Sequence, residues 1–439
     1  MPEESPDNHL KRTLGLPATL SVGVGTMLGA GIFVFPGLAA NEAGPAAILS
    51  FAIGGGIALL VALCTAELAT AMPRSGGAYF HVSRSFGEFA GLLVGVAQST
   101  GLVFASAFYL VAFADYALDL IAATPLSIAE VSSAFAVSAA LLLTLVNIVG
   151  SGESGRLQSV IVLLLAALLI FLFGAGLLRA AGITGEASGL PEFAPFGVMP
   201  IFSTAAFVFT SYLGFVQIST VAGEVRNPGR TLPVALIGSV ILVAVLYVVA
   251  LFVTTSLLSA ERLAETGSTT TIELGKHLFG EFGKMLVLLA GLLATLSSAN
   301  ASILSSSRTL YALGHDRLAP AWTATVSARF RTPYFAILLV GVAVATLTLL
   351  GDLKTLAEVA SALHLLIYAL ICGALLRQRS QSPDEYTPTF RVPAARLVAV
   401  SGAACCLGLL AFMEPIALAI GAGVLVAAVA WYMRYRNVG

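Results

Sequence analysis

Twenty-five consecutive residues, Leu16 to Ala40, are almost wholly apolar and long enough to cross a bilayer. Their middle reads Gly25-Thr26-Met27-Leu28-Gly29-Ala30-Gly31-Ile32-Phe33. In lipid no water satisfies freed peptide groups, so a spanning helix unwinds only where it is buried in protein or lines a cavity. Three glycines within seven residues lower the cost of unwinding. Glycine is a poor helix former and lets bare backbone approach a ligand. The pattern predicts a helix broken near its middle, with the break holding a small solute.

The rest of the chain agrees with a membrane setting. Of 439 residues, 58% are hydrophobic and 10% charged, with a mean hydropathy of +0.95. Soluble domains carry roughly 25% charged residues, so this chain lacks the polar surface to face water and reads as an all-α integral membrane protein. Its net charge of −1 gives no reason to expect a nucleic-acid partner. Cys64, Cys372, Cys405 and Cys406 lie in apolar runs without metal-ligand spacing and read as inert thiols. No metal or cofactor is expected. The first apolar run is too long for a cleavable signal peptide and lacks a clear cleavage site.

Twelve segments have spanning length: 16–40, 46–71, 87–121, 130–149, 158–181, 199–222, 233–258, 283–311, 335–351, 355–376, 395–412 and 415–433. The third is long enough to tilt or to leave the lipid. With the N-terminus cytoplasmic, 17 of the 22 Lys and Arg fall on that side, which places both termini on the cytoplasmic side of the cell membrane. Residues 1–15 read as a disordered cytoplasmic tail, and the amphipathic stretch Ser259 to Lys284 as a short outer surface helix. No separate soluble domain is long enough to exist.

The sixth segment carries a second interruption, Thr210-Ser211-Tyr212-Leu213-Gly214-Phe215, about 185 residues after the first. Each interrupted segment begins a set of five. Five is odd, so the second set enters the membrane from the opposite side. This is the inverted repeat of many secondary transporters, which bind solute between paired broken helices. The resulting division is 16–181 for the first repeat, 182–390 for the second, and 391–439 for two extra helices and a short tail.

Other features have competing readings. Gly23-x-Gly25-x-x-x-Gly29 lacks the strand, helix and lysine of a phosphate loop. Gly29-Ala30-Gly31 also suits close helix packing, but the matching break in segment six favours binding. Glu67 lies within a span, which marks a functional candidate. Its place near the cytoplasmic end also allows a salt bridge with Arg74 or Arg84, and a structural or gating contact is favoured. Glu224-Val225-Arg226-Asn227-Pro228 suits a tight cytoplasmic loop able to close an inner exit. His364, near mid-span, reads as a hydrogen-bonded structural histidine before a proton carrier. The spans hold no HExxH, Asp pair or Ser/His/Asp set, and the chain reads as no enzyme.

Gly29-Ala30-Gly31-Ile32-Phe33, Glu67 through Pro73 to Ser75-Gly76-Gly77-Ala78-Tyr79, and Glu224-Val225-Arg226-Asn227-Pro228 with Thr231-Leu232-Pro233 recur in an order and spacing that resemble the amino acid–polyamine–organocation permeases. The resemblance covers nearly the whole chain. It implies twelve transmembrane helices in a five-plus-five inverted repeat, with helices one and six discontinuous and two helices added, working by alternating access.

It also implies that the substrate carboxylate meets backbone N–H groups at Gly29, Ala30 and Gly31, as a helix N-terminus favours. The substrate amine would meet carbonyls at Met27, Thr210 and Leu213. An aromatic cap from segment six would fall to Phe209 or Tyr212, because the matching position is Thr210. Some prokaryotic members carry a proton-bearing lysine in segment five, where this chain has Leu165. Ser297 and Ser298 are candidate oxygen donors to Na⁺ or serines bonded to their own helix. Coupling to Na⁺ or H⁺ and exchange stay open, and the sequence gives no oligomeric state. The expected substrate is a neutral amino acid. The alternatives are a cationic amino acid or polyamine permease and, further off, a solute channel.

Overall fold

The computed structural model describes residue 12 and residues 14–74, 76–121, 128–149, 154–183, 192–381 and 386–436. Most of the 1–15 tail and Ser75 lie outside the described residues. Among those described there is no strand, only one isolated bridge between Leu14 and Val225.

The first apolar segment forms α1 (Leu16–Leu28) and α2 (Gly31–Ala43), separated at Gly29 and Ala30. A short 3-10 turn leads into α3 (Ala47–Ala71), followed by the short α4 (Gly77–Phe86) and by α5 (Glu88–Ile121). At 34 residues, α5 is about 51 Å long at 1.5 Å per residue. It exceeds the hydrocarbon core of about 30 Å, as the long third segment predicts. Next come α6 (Ile128–Val149) and α7 (Ser154–Ala180).

The sixth segment is divided into α8 (Met199–Val208), a 3-10 helix over Phe209–Val216, and α9 (Gln217–Thr220). After α10 (Pro228–Leu257), the expected outer surface helix resolves into α11 (Ala260–Thr266) and the first turns of α12 (Thr270–His315). α12 bends sharply at Gly280, whose φ of 64° and ψ of −150° suit only glycine. The bend lets Gly275 and Gly283 bring their backbones together, with no room for a Cβ on either. The chain ends with α13 (Tyr334–Leu350), α14 (Leu353–Gln381), α15 (Ala395–Leu410) and α16 (Pro415–Arg436).

Nine stretches among the described residues are long and apolar enough to cross a membrane. One of them, Leu16–Ala71, holds the first two apolar segments, and α13 and α15 are shorter apolar helices. Leu141, Leu142 and Leu145 on α6, Leu163, Leu164 and Phe171 on α7, and Leu397 on α15 are exposed. Apolar belts of this kind suit lipid, whereas water would leave them unstable. Inside, α5 packs along α12 and α14, and α3 along α10. The broken helix pair and the Phe209–Val216 segment sit between these packed pairs.

Candidate functional site

The two interruptions lie against each other. Thr26 Oγ1 reaches the carbonyls of Val22 (2.7 Å) and, across the interface, Gly214 (3.1 Å). A Cβ on Gly214 would run into the Thr26 side chain and lie 2.8 Å from Met27 N. Gly29 is needed for a similar reason: a Cβ there would collide with the Ser298 hydroxyl of α12. A Cβ on Gly31 would collide with the Tyr247 hydroxyl and come within 3.1 Å of Ser211 Oγ.

At the break Gly29 N still bonds to Gly25 O, while Ala30 O accepts from Phe33 N and Val34 N, both at 3.1 Å. α2 therefore starts afresh here, and its first N–H groups have no partner in their own helix. They carry the positive end of the helix dipole. Beside them Ser298 Oγ is buried with no hydrogen-bond partner. A carboxylate here would meet both kinds of donor. Ser298 is the member of the expected serine pair that faces the break, and Ser297 is half-buried.

The carbonyls expected to take an amine are already engaged on one side. Met27 O accepts from Tyr247 OH of α10 at 3.2 Å, and Leu213 O from Tyr368 OH of α14 at 2.9 Å. Each carbonyl keeps a second lone pair. The Thr210 side chain turns away from the break, with its hydroxyl 2.6 Å from both Ala357 O and Ser361 Oγ on α14. Phe209 is fully buried and meets Tyr368 edge-on at 5.9 Å. Tyr212 donates to Phe51 O of α3 at 3.0 Å and lies beside Tyr247. Both expected capping aromatics thus pack into helix interfaces.

A vestibule of about 410 Å³ starts at Thr26 and runs past Gln98, Gln217 and Asn300 to Glu224 and the exposed Arg308. It opens on the arginine-rich face. At its lip Tyr79 donates to Asp316 at 2.6 Å. Burial pushes the Tyr79 phenol up, and the Asp316 carboxylate adds to that. Toward the opposite face the path is closed. Phe35 stacks on Phe108 (4.9 Å) and meets Phe207 edge-on (5.0 Å). Phe33 O accepts from both Tyr116 OH and Thr271 Oγ1.

Glu67 makes a structural contact, but with neither arginine expected. Its buried carboxylate is gripped by Arg379 at the end of α14, at 2.7 Å from Nε and 2.6 Å from Nη2. Tyr386 OH (3.0 Å) and Val392 N (2.7 Å) complete the clasp. A buried carboxylate needs this full set of donors. The nearest arginines in sequence are not the ones that folding supplies. Glu224 lines the vestibule, and the Glu224 to Arg226 loop is pinned by Leu14 through Leu14 N to Glu224 O (2.9 Å) and Arg226 N to Leu14 O (2.8 Å). Arg226 itself is exposed.

Tyr247, Tyr368, Gln98 and Asn300 were not foreseen. The two tyrosines carry a usable signal. A phenol buried in an apolar span needs an acceptor, and broken helices are where free carbonyls occur.

A family model described as "Amino acid permease" matches residues 14–433. The Cationic amino acid transporter 7, chloroplastic, of Arabidopsis thaliana is 29% identical over 387 residues, 84% of this chain and 66% of that protein. The chain therefore spans just under two thirds of that relative. The Methylthioribose transporter of Bacillus subtilis is 29% identical over 92% of this chain and 89% of its own length. An uncharacterized transporter of Mycobacterium tuberculosis is 30% identical over 98% of this chain and 92% of its own.

Proposed function

The chain belongs to the amino acid permease family, within the amino acid–polyamine–organocation superfamily, whose members are transporters, and from that premise we propose that it carries neutral amino acids across the cell membrane by alternating access. One observation supports this above the others. Thr26, which bonds across the two breaks and lies one turn before the start of α2, lines a vestibule that opens on the arginine-rich face. A channel would keep a path to both faces, whereas the Phe35, Phe108 and Phe207 cluster closes one.

In this reading the substrate carboxylate meets the N–H groups at Gly29, Ala30 and Gly31. Its amine uses the remaining lone pairs of Met27 and Leu213 and the carbonyl of Thr210. Twelve crossings in a five-plus-five arrangement, with both termini cytoplasmic, make the open face the inner one. Opening of the aromatic cluster and closure around Glu224 and Arg308 then deliver the solute to the other side. Relatives are named for cationic amino acids and for methylthioribose. The neutral preference rests on the vestibule, whose lining contains one carboxylate, Glu224, and one guanidinium, Arg308.

Energy enters by symport with Na⁺ or H⁺, or by exchange. Ser298 offers an oxygen for Na⁺, and Leu165 offers nothing for a proton. Uptake of a panel of labelled amino acids into proteoliposomes, with Na⁺ and pH gradients imposed separately, tests the whole reading. Saturable uptake of neutral amino acids is expected. Flux that never saturates, or no uptake of any amino acid, overturns it.

A further inference from the structure

Beside the vestibule lies a second, much smaller void of about 10 Å³, enclosed by α5, the Phe209–Val216 segment, α9 and α14. It has room for roughly one water-sized group. Gln98 and Gln217 line both spaces. Gln98 and His364 both line the smaller one. Gln98 Oε1 is buried and makes no hydrogen bond. His364 places Nδ1 2.9 Å from Ala360 O. A carbonyl only accepts, so Nδ1 carries the hydrogen, and in a neutral ring Nε2 keeps a lone pair. Nε2 makes no hydrogen bond among the described residues.

The two side chains are brought together by a glycine. The His364 ring rests on α5 at Gly101, where a Cβ would lie 2.7 Å from Cε1 and 2.8 Å from Nδ1. Gly101 is three residues from Gln98, hence on the same helix face. The neighbouring donor is committed, since Tyr368 OH is bonded to Leu213 O. Apart from the Gln217 carboxamide the remaining wall is largely apolar, with Leu102, Val216 and Ile367, and neither Asp nor Glu among its described residues. Buried polar atoms are paired in folded proteins almost without exception, so the unpaired Gln98 Oε1 at this void marks a place for a donor from a ligand or a water.

We propose that Gln98 and His364 form a side-chain subsite that takes one uncharged O–H or N–H donor at the tip of the substrate. This rests on the amino acid reading above and narrows it, to neutral amino acids ending in a hydroxyl or primary amide. A donor of the same chemistry could come from a resident water, and the test separates the two.

Equilibrium binding to the detergent-purified full chain is measured for L-threonine against L-valine and for L-asparagine against L-leucine, pairs of nearly equal shape. One hydrogen bond to a buried acceptor corresponds to about tenfold in affinity. The polar member of each pair is therefore expected to bind about tenfold tighter, and Gln98→Leu or His364→Phe to bring each ratio close to one. His364→Gln, which keeps an acceptor, should restore part of the preference. Gly101→Ala, which pushes the ring off α5, should remove it. If His364→Phe is not monodisperse, Gln98→Leu decides. Equal binding within each wild-type pair, or a preference that survives Gln98→Leu, means that water fills the void and overturns the subsite. If wild type binds none of the four, the amino acid reading itself fails.

Discussion

The two breaks leave the α-helix in different ways. At the first the chain lets go: α1 ends at Leu28, α2 restarts at Gly31, and glycine on either side admits Ser298 and Tyr247 against bare backbone. At the second the chain tightens instead, into eight residues of 3-10 helix from Phe209 to Val216. Such runs rarely exceed three or four residues and often mark hinges. The first break exposes donors, the N–H groups of α2. The second keeps its hydrogen-bonded winding and contributes Gly214 as a flat surface against Thr26. A site built this way has one chemical half and one shape-giving half, and neither admits a Cβ where the two meet.

The sharpest way to break this contrast is Gly29→Val. Its side chain would occupy the space of Ser298 and displace the start of α2, so substrate affinity should fall by about 10²-fold or more in protein that still elutes as a folded species. Wild-type affinity in that variant would move the site elsewhere. Gly214→Ala is the matched test on the second break. Overpacking costs about 1–3 kcal/mol, and affinity should drop about tenfold as the two breaks are pushed apart. An effect as large as that of Gly29→Val would erase the distinction between them.

Two smaller tests sharpen it. Tyr247→Phe removes the donor to Met27 O, worth about 1 kcal/mol, and should weaken binding about fivefold. Its counterpart Tyr368→Phe frees Leu213 O, and a clearly larger effect there would shift the chemical weight to the second break. Thr210→Val should do least. It should lower melting stability by about 1 kcal/mol through its bonds to α14 and change affinity less than about twofold, because the candidate acceptor at Thr210 is its carbonyl. A tenfold loss of affinity would return the Thr210 hydroxyl to the site.

How much was legible follows the same division. The first break was readable because glycine clustering is a local, backbone-level signal. The second was read as an unwound interruption, yet one glycine among six residues is not enough to unwind a helix packed on both sides, and the segment stayed wound. Side-chain directions were not legible there. Nothing in Phe209-Thr210-Ser211-Tyr212 says that Thr210 faces α14 and Tyr212 faces α3. The partner of Glu67 was missed because charge pairing was sought within seventeen residues, while the fold supplies Arg379 from 312 residues away.

That separation has a consequence in time. Ribosomes add about 5–20 residues per second, so Arg379 emerges roughly 15–60 s after Glu67. During that interval α3 carries a carboxylate that the finished protein buries completely and whose final partners Arg379, Tyr386 and Val392 have not yet been made. Until then the end of α3 that carries Glu67 lacks the donors that offset its burial. The early half of the chain therefore cannot complete this buried contact on its own. The clasp is one of the later contacts the chain can complete, closing only after Val392 has been made.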